Sequence, residues 1–243
     1  KAGGGVLYDL EYLVDDDGRR VAAFGYWAGF AGAAVAMRCW AAQARDEEAG
    51  PVSVFHSSRA MLNDLVEDLQ ASGASIPTAI VIGALGRVGT GASELLEAVR
   101  VPVTQWDMEE TSSGGPFPEI LAHDVFINCI FARPGTPVFV PKAALTEERN
   151  LSVIGDVSCD PDSNYNPVPV YDRATDWIVP SLRVHDDPVM DVTAIDNLPS
   201  MLPVESSEDY ALQLLPTLLS LSDLSAGVWT RAFNDFKTHS EKV

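Results

Sequence analysis

The stretch that decides the fold is TAIVIGALGRVGTGA, residues 78–92. A short run rich in β-branched residues leads into a cluster of glycines. Beyond it, apolar residues recur at helical spacing at Ala92, Leu95, Leu96 and Val99. This pattern predicts a buried strand, a tight turn and a helix.

The glycines of this turn match a dinucleotide-binding fingerprint. A pyrophosphate must approach the backbone closely at the positive end of a helix, which requires small residues, and Gly86 and Gly89 suit that requirement. Ala84 stands where the first glycine of G-x-G-x-x-G is expected, so the match is A-x-G-x-x-G. The alternative is an ordinary strand-to-helix connection.

A second strand-like stretch, residues 102–106, ends in Asp107, about 20 residues after the glycines, where the fingerprint expects an acid that binds the adenosine ribose. Glu109 and Glu110 follow, with no Arg or Lys beside them to receive a 2′-phosphate. The sequence therefore favours NAD over NADP. Asp107 could instead simply cap the end of the strand.

The composition is that of a globular protein with a substantial core. The 243 residues are 47% hydrophobic and 21% charged, and the net charge of −19 argues against a nucleic-acid partner. Cys39, Cys129 and Cys159 lie far apart, which favours free thiols over a disulfide framework or a zinc site. We expect no metal. The longest apolar region, residues 21–36, is interrupted by glycines and aromatic residues, so we expect no membrane span.

The remaining strand signals alternate with helical segments. Apolar strands are predicted at residues 124–131 and 151–160, and a last short strand within residues 192–198. This alternation predicts an α/β fold: a Rossmann-like parallel sheet with flanking helices. Ligands of such sheets collect at the carboxyl ends of the strands. At the start of the chain, residues 6–14 and 19–24 read as a hairpin around an Asp-Gly turn. Helices are predicted at residues 28–45, 61–71, 205–221 and 226–239.

Six separated segments carry a family resemblance: residues 18–34, residues 83–89, Trp106-Asp107 with Thr111, residues 126–130, residues 156–160 and residues 195–199. Together they resemble the NAD-dependent, lysine-forming saccharopine dehydrogenase family of the fungal aminoadipate pathway. The resemblance covers essentially the whole chain.

The resemblance implies oxidative cleavage of saccharopine by NAD and water to lysine and 2-oxoglutarate, in a cleft between two Rossmann-like domains. It implies that residues 1–27 are the end of a substrate domain and that residues 28–204 form a bridging helix and the NAD-binding domain. Residues 205–243 would be helices that return to the substrate domain. The parts of the substrate domain that this chain holds would be the remnant of a second Rossmann-like domain. The implied NAD contacts are Arg19, Gly86, Arg87, Asp107, Thr111, Phe131, Val157, Ile195, Asp196, Asn197 and Leu198. The implied saccharopine contacts are Arg20, Phe24, Ser158, Cys159 and Asp160.

Some of these roles have plain alternatives. A guanidinium gives a substrate carboxylate a planar bidentate partner, which suits Arg20, yet Arg19 and Arg20 could simply balance Asp15 to Asp17. Asp196 could hold the nicotinamide ribose or cap a helix that begins near Pro199. Phe131 stands where the family can carry tyrosine, so a hydroxyl contact would be lost.

The resemblance places the family's acid and base, a lysine and a histidine, before the Arg-Arg segment, so we expect them upstream of Lys1 and assign no catalytic residue here. We therefore expect a fragment that lacks its N-terminal part, binds NAD weakly and does not turn over. For the full-length protein we expect a monomer in the cytoplasm, or in the peroxisome if the native C-terminus extends past Val243. The alternatives are a related two-domain amino-acid dehydrogenase, such as an alanine dehydrogenase, and a non-catalytic NAD-binding module.

Overall fold

A computed structural model describes residues 4–241 of the chain. Two compact units are present: Gly25–Pro203 forms the larger one, and the segments on either side of it form the smaller one. Lys1 to Gly3, where the first predicted domain begins, and Lys242 and Val243, where the third ends, lie outside the described residues. The assignment of the outer segments to a substrate domain stays a prediction.

The larger unit is built on a six-stranded sheet in the order β2-β1-β3-β4-β6-β5. The first five strands in this order pair in parallel, and β5 joins β6 in the antiparallel sense. The α/β fold with a Rossmann-like parallel sheet is therefore confirmed. The strands are β1 (Ala79–Ile82), β2 (Val103–Trp106), β3 (Val125–Asn128), β4 (Val153–Asp156), β5 (Leu182–Asp186) and β6 (Val189–Thr193).

Helices cover the sheet and form the smaller unit. They are α1 (Gly25–Gln43), α2 (Ser58–Ala71), α3 (Arg87–Ala98), α4 (Met108–Thr111), α5 (Pro118–Leu121), α6 (Pro203–Leu218) and α7 (Gly227–Glu241). Alternate residues of β1 face opposite layers, as the period of two in a strand requires. Ala79 and Val81 belong to the cluster that contains α1 and α3, whereas Ile80 and Ile82 pack in a second cluster with Phe126. The sheet is thus buried on both faces.

Helices α1 and α3 touch through their backbones. A Cβ added to Gly29 of α1 would lie 1.8 Å from the carbonyl oxygen of Val88, and one added to Gly91 of α3 would lie 1.9 Å from that of Tyr26. Real Cβ atoms do not approach so closely, so only glycine fits at either position. This contact fixes the place of α3 against the sheet.

One edge of the sheet was not predicted. A last short strand was expected within residues 192–198, whereas β6 begins earlier and ends at Thr193, and it is preceded by an antiparallel partner, β5. The turn between the two strands contains Asp187 and Pro188. Along β5, residues 182–185 alternate strictly between apolar and polar, so a period-two signal was present and was missed, whereas β6 shows no such alternation.

The predicted hairpin of residues 6–24 was wrong in its strands, although its turn is present. Gly18 has φ +76°, and Asp15 donates its N–H to the carbonyl of Arg19 at 2.9 Å. The two arms form only a single antiparallel bridge, between Val14 and Arg20. The first arm instead contains a 3₁₀ helix, Leu10–Tyr12, because the Asp9 side chain accepts the N–H of Glu11 at 3.0 Å. Such local hydrogen bonds compete with strand pairing.

The smaller unit has its own apolar cluster. Leu13 and Ala22 pack with Leu214, Trp229 and Ala232 of α6 and α7. The described residues of this unit contain helices and the single bridge but no strand of a sheet. Only the sequence resemblance therefore supports the prediction that this unit is the remnant of a second Rossmann-like domain.

Candidate coenzyme site

The glycine turn after β1 is shaped by two positions that accept no side chain. Gly83 has φ +85°, a left-handed conformation that favours glycine. A Cβ on Gly89 would lie 2.1 Å from the carbonyl oxygen of Gly83 and 2.5 Å from the Cα of Ala84. Gly89 therefore lets α3 begin directly against the end of β1, as the fingerprint requires.

The N-terminus of α3 opens toward solvent at this turn. Gly86 is the N-cap, and no side chain caps the helix there. Leu85 is 81% exposed, and Gly86 and Arg87 are exposed as well. An uncapped helix N-terminus carries a partial positive charge and is suited to an anion such as a phosphate.

Asp107 lies beside the glycine turn. Its Oδ2 accepts the N–H of Leu85 at 3.0 Å, and its Oδ1 accepts the N–H of Met108 at 2.8 Å. The carboxylate of Glu110 in turn accepts the N–H of Asp107 at 2.8 Å, which completes a capping box for α4. The hydroxyl of Thr111 donates to the carbonyl of Asp107 at 2.9 Å. Asp107 therefore caps helix α4, whereas the alternative had expected it to cap the end of a strand, and its second carboxylate oxygen is bonded to the glycine turn.

The other predicted coenzyme residues of the larger unit follow the strands β3, β4 and β6. Phe131 is 79% exposed, with the guanidinium of Arg133 5.9 Å from its ring centre. Val157, Ile195 and Leu198 line one narrow cleft together with Gly32 of α1. The coenzyme contacts proposed for these residues stay predictions.

Asp196 does not cap the short helix that follows β6. The N-cap of the 3₁₀ helix Leu198–Met201 is Asn197, which has φ +72°, and its Oδ1 accepts the hydroxyl of Ser200 at 2.5 Å. Asp196 is exposed. The alternative of a capping role is therefore wrong for Asp196.

A buried hydrogen-bond network at the ends of β3 and β4 was missed by the sequence analysis. Its centre is Asp156, which is 2% exposed. Its Oδ1 accepts Asn128 Nδ2 at 3.0 Å, the hydroxyl of Ser158 at 2.8 Å and the N–H of Cys159 at 3.3 Å, while its Oδ2 accepts the hydroxyl of Tyr171 at 2.8 Å. Ser158 and Cys159 were predicted from the resemblance, but Asp156, Asn128 and Tyr171 were not. The only signal in the sequence was that two apolar strands, β3 and β4, each end in a polar residue.

The network raises the pKa values of its weak acids. Burial, followed by the negative charge of Asp156, raises the pKa of the Cys159 thiol to about 12 and also raises the pKa of Tyr171. Burial likewise raises the pKa of Cys129, and it raises that of Cys39 to about 12. All three cysteines are free. At neutral pH these thiols are protonated, which makes them poor nucleophiles.

Three predicted residues, Arg19, Arg20 and Phe24, belong to the smaller unit. The N–H of Arg19 donates to Asp15 Oδ1 at 2.8 Å, and Arg20 lies 3.5 Å from a carboxylate oxygen of Glu11. Phe24 stacks on Tyr210 with ring centres 4.5 Å apart. Their roles toward coenzyme and substrate stay predictions.

Two histidines of the larger unit, His123 and His185, have local partners. His123 contacts the hydroxyl of Thr104 and the carbonyl of Glu119, both at 2.7 Å, and His185 contacts the carbonyl of Pro188 at 2.8 Å. Within residues 4–241 no group of three or more His, Cys, Asp or Glu residues is placed to hold a metal ion. No helix among the described residues is both long and apolar enough to cross a membrane.

Comparison with known proteins identifies the family. Three fungal saccharopine dehydrogenases (NAD+, L-lysine-forming) resemble the chain along its length: that of Yarrowia lipolytica is 47% identical over 100% of this chain, that of Candida glabrata 43% over 99%, and that of Schizosaccharomyces pombe 40% over 100%. The matched regions span 69%, 68% and 70% of those proteins. The chain belongs to the L-lysine-forming saccharopine dehydrogenase family.

Structural comparison places this saccharopine dehydrogenase family member in the same fold as an L-alanine dehydrogenase. The TM-score is 0.53 at 16% identity, over 96% of this chain and 62% of that one. At such low identity the likeness concerns the fold alone. No protein-family model matches the sequence.

Proposed function

We propose that this chain forms the NAD-binding part of an enzyme that cleaves saccharopine oxidatively to L-lysine and 2-oxoglutarate. Its relatives bear the name of that activity at 40–47% identity. The observation that carries the proposal is the hydrogen bond between Leu85 of the glycine turn and Asp107 at the end of β2. It joins the phosphate-binding and ribose-binding elements of a dinucleotide site in one place.

The residues at this turn fit NAD. Gly89 lets α3 begin directly against the end of β1, and Gly86 leaves the N-terminus of α3 without a side-chain cap. We assign Gly86 and Arg87 to the pyrophosphate and Asp107, with Thr111 behind it, to the adenosine ribose. The 2′-phosphate of NADP would bring negative charge close to the carboxylates of Asp107 and Glu110, and this repulsion favours NAD over NADP.

The nicotinamide half of the coenzyme is assigned to the other strands. Arg19 and Phe131 complete the contacts with NAD, and the cleft residues Val157, Ile195 and Leu198, with the adjacent Asp196 and Asn197, support its nicotinamide end. Bound NAD+ supplies the hydride acceptor of the reaction.

Saccharopine is assigned to residues that suit its several carboxylates. Arg20 offers a planar bidentate partner to one of them, and Phe24 gives an apolar contact. Ser158, Cys159 and Asp160 face the substrate from the end of β4. Because the thiol of Cys159 is protonated at neutral pH, its part is contact rather than nucleophilic attack.

Turnover also needs groups that move protons near neutral pH. His123 and His185 are engaged with local partners, and neither was placed in the site. We assign no catalytic acid or base among the described residues. We further propose a cytoplasmic monomer for the full-length protein, and no nucleic-acid partner because the net charge is −19.

Calorimetric titration of residues 1–243 tests the proposal. We expect NADH to bind at least about tenfold more tightly than NADPH, because a 2′-phosphate would face two carboxylates. With NAD and saccharopine we expect no formation of NADH by this chain alone, followed at 340 nm. Absence of heat with NADH would overturn the coenzyme site, and measurable turnover would show that the described residues contain the acid and base.

A further inference from the structure

Asp156 is a buried carboxylate that belongs neither to the proposed coenzyme contacts nor to the proposed substrate contacts. Its four hydrogen-bond donors are all neutral, and no salt bridge among the described residues includes it. Burying a charge without a cation is costly unless hydrogen bonds satisfy it. The donors converge from β3, from the turn after β4 and from Tyr171, so the carboxylate joins segments that are distant in sequence.

The turn that Asp156 holds, residues 157–160, has an unusual backbone. Cys159 has φ +49°, a left-handed conformation that costs free energy for a residue with a side chain. Its N–H donates to Asp156 Oδ1, and its thiol donates to the carbonyl of Ala194 at 2.9 Å. Two bonds therefore hold Cys159 in a conformation that it would not adopt alone.

The opposite side of the turn is packed tightly. A Cβ on Gly32 of α1 would lie 2.6 Å from Val157 Cγ2 and 3.1 Å from Leu198 Cδ1. Packing against α1 blocks movement of the turn in that direction, and the hydrogen bonds to Asp156 hold the turn on its other side. The sheet order puts this turn two strands from the glycine turn, on the side away from Asp107.

We propose that Asp156 is a positioning residue for the nicotinamide half of the coenzyme: through Ser158 and Cys159 it fixes the turn at residues 157–160 that this half contacts. The proposal rests on the proposed function, in which Val157 contacts NAD. The adenosine half is held elsewhere, at the glycine turn and Asp107. Loss of the carboxylate should therefore weaken the binding of NADH and leave the binding of ADP unchanged.

The experiment compares Asp156→Asn with Asp191→Asn in residues 1–243. Asp191 is a matched control: it is 4% exposed, lies in β6 of the same sheet, and accepts Arg183 Nε and Gln43 Nε2, each at 2.5 Å. Both substitutions remove a buried carboxylate, so both should lower stability. Only Asp156→Asn should raise the Kd of NADH, by about tenfold, because neutral hydrogen bonds to an amide hold the turn less firmly than charged hydrogen bonds to a carboxylate. The Kd of ADP should stay unchanged in both variants.

A second readout needs no ligand. Asp156→Asn should speed the labelling of Cys159 by a maleimide about tenfold, measured by mass spectrometry of the modified peptide, because a neutral amide has one acceptor oxygen instead of two and binds the donors of the turn more weakly than a carboxylate. Asp191→Asn should instead speed the labelling of Cys39, whose sulfur lies 3.9 Å from Asp191 Oδ2. The milder variant Tyr171→Phe removes a single hydroxyl and should shift NADH binding and Cys159 labelling in the same direction by about threefold.

The outcomes separate the two proposals. If the unsubstituted chain binds neither NADH nor ADP, the proposed function fails and the part of Asp156 in coenzyme binding fails with it. If it binds both and Asp156→Asn weakens both equally, or neither, the positioning role fails while the coenzyme site stands. Unchanged labelling of Cys159 in Asp156→Asn would overturn the claim that the carboxylate holds the turn.

Discussion

The two halves of the sheet's carboxyl edge are built in opposite ways. At β1 and β2 the partly exposed carboxylate of Asp107 is bonded by backbone N–H groups of its own motif. At β3 and β4 the buried carboxylate of Asp156 is bonded by side chains that include Asn128 and Tyr171. The first half is thus encoded locally and remains near solvent, whereas the second forms only when distant segments have come together.

This difference has an energetic consequence. Removing a hydrogen-bond donor from a buried charge costs more than removing one that water can replace. Equal changes should therefore damage the β3–β4 half more than the β1–β2 half, unless they introduce atoms where none fit. Three predictions test this comparison.

The largest effect is expected from Gly89→Ala. The new Cβ would lie 2.1 Å from the carbonyl oxygen of Gly83, so β1 and α3 must move apart. We expect a loss of about 3 kcal/mol or more in the free energy of unfolding, measured by urea denaturation, and loss of NADH binding. Gly86→Ala is the matched control, because its Cβ would lie 3.4 Å from the same oxygen, and it should cost less than about 1 kcal/mol. Equal stability of the two variants would contradict the packing argument.

An intermediate effect is expected from Tyr171→Phe, which removes one donor from Asp156. The loss should be about 1.5–3 kcal/mol near pH 7. Because the pKa of Tyr171 is raised in the folded state above its ordinary 10.0, its contribution is complete below pH 10 and is lost as the pH rises further. The free energy of unfolding, measured between pH 8 and pH 11, should therefore fall less steeply in the variant. Tyr165→Phe, at a tyrosine that is 44% exposed, should change neither value.

The smallest effect on stability is expected from Asp107→Ala. It removes the cap of α4, which should cost about 1 kcal/mol, whereas Asp107→Asn keeps an acceptor for the cap and should cost almost nothing. Both variants should nevertheless weaken NADH binding in a fluorescence titration, because the ribose loses its carboxylate. A loss from Asp107→Ala that exceeds the loss from Tyr171→Phe would reverse the ranking of the two halves.

The sequence predicts the β1–β2 half well because its chemistry lies within one short stretch. The positions of Gly86, Gly89 and Asp107 follow from a motif whose physical requirements are known. The network around Asp156 could not be predicted, because nothing local connects Asn128 or Tyr171 to it. The hairpin of residues 6–24 was wrong because a side-chain cap at Asp9 competes with strand pairing.

The interlocked glycines of α1 and α3 set a limit on how this chain can vary. Since the backbones of the two helices already touch at Gly29 and Gly91, α3 cannot slide or tilt by the width of one methyl group without parting from its neighbour. The contact with α1 therefore helps to set the direction of the first turn of α3. Yet α1 ends some forty residues before α3 begins, and no contact with phosphate is assigned to it. Substitutions in the middle of α1 should therefore lower the affinity for the coenzyme. A survey of the coenzyme-binding residues alone would not find the cause of that loss.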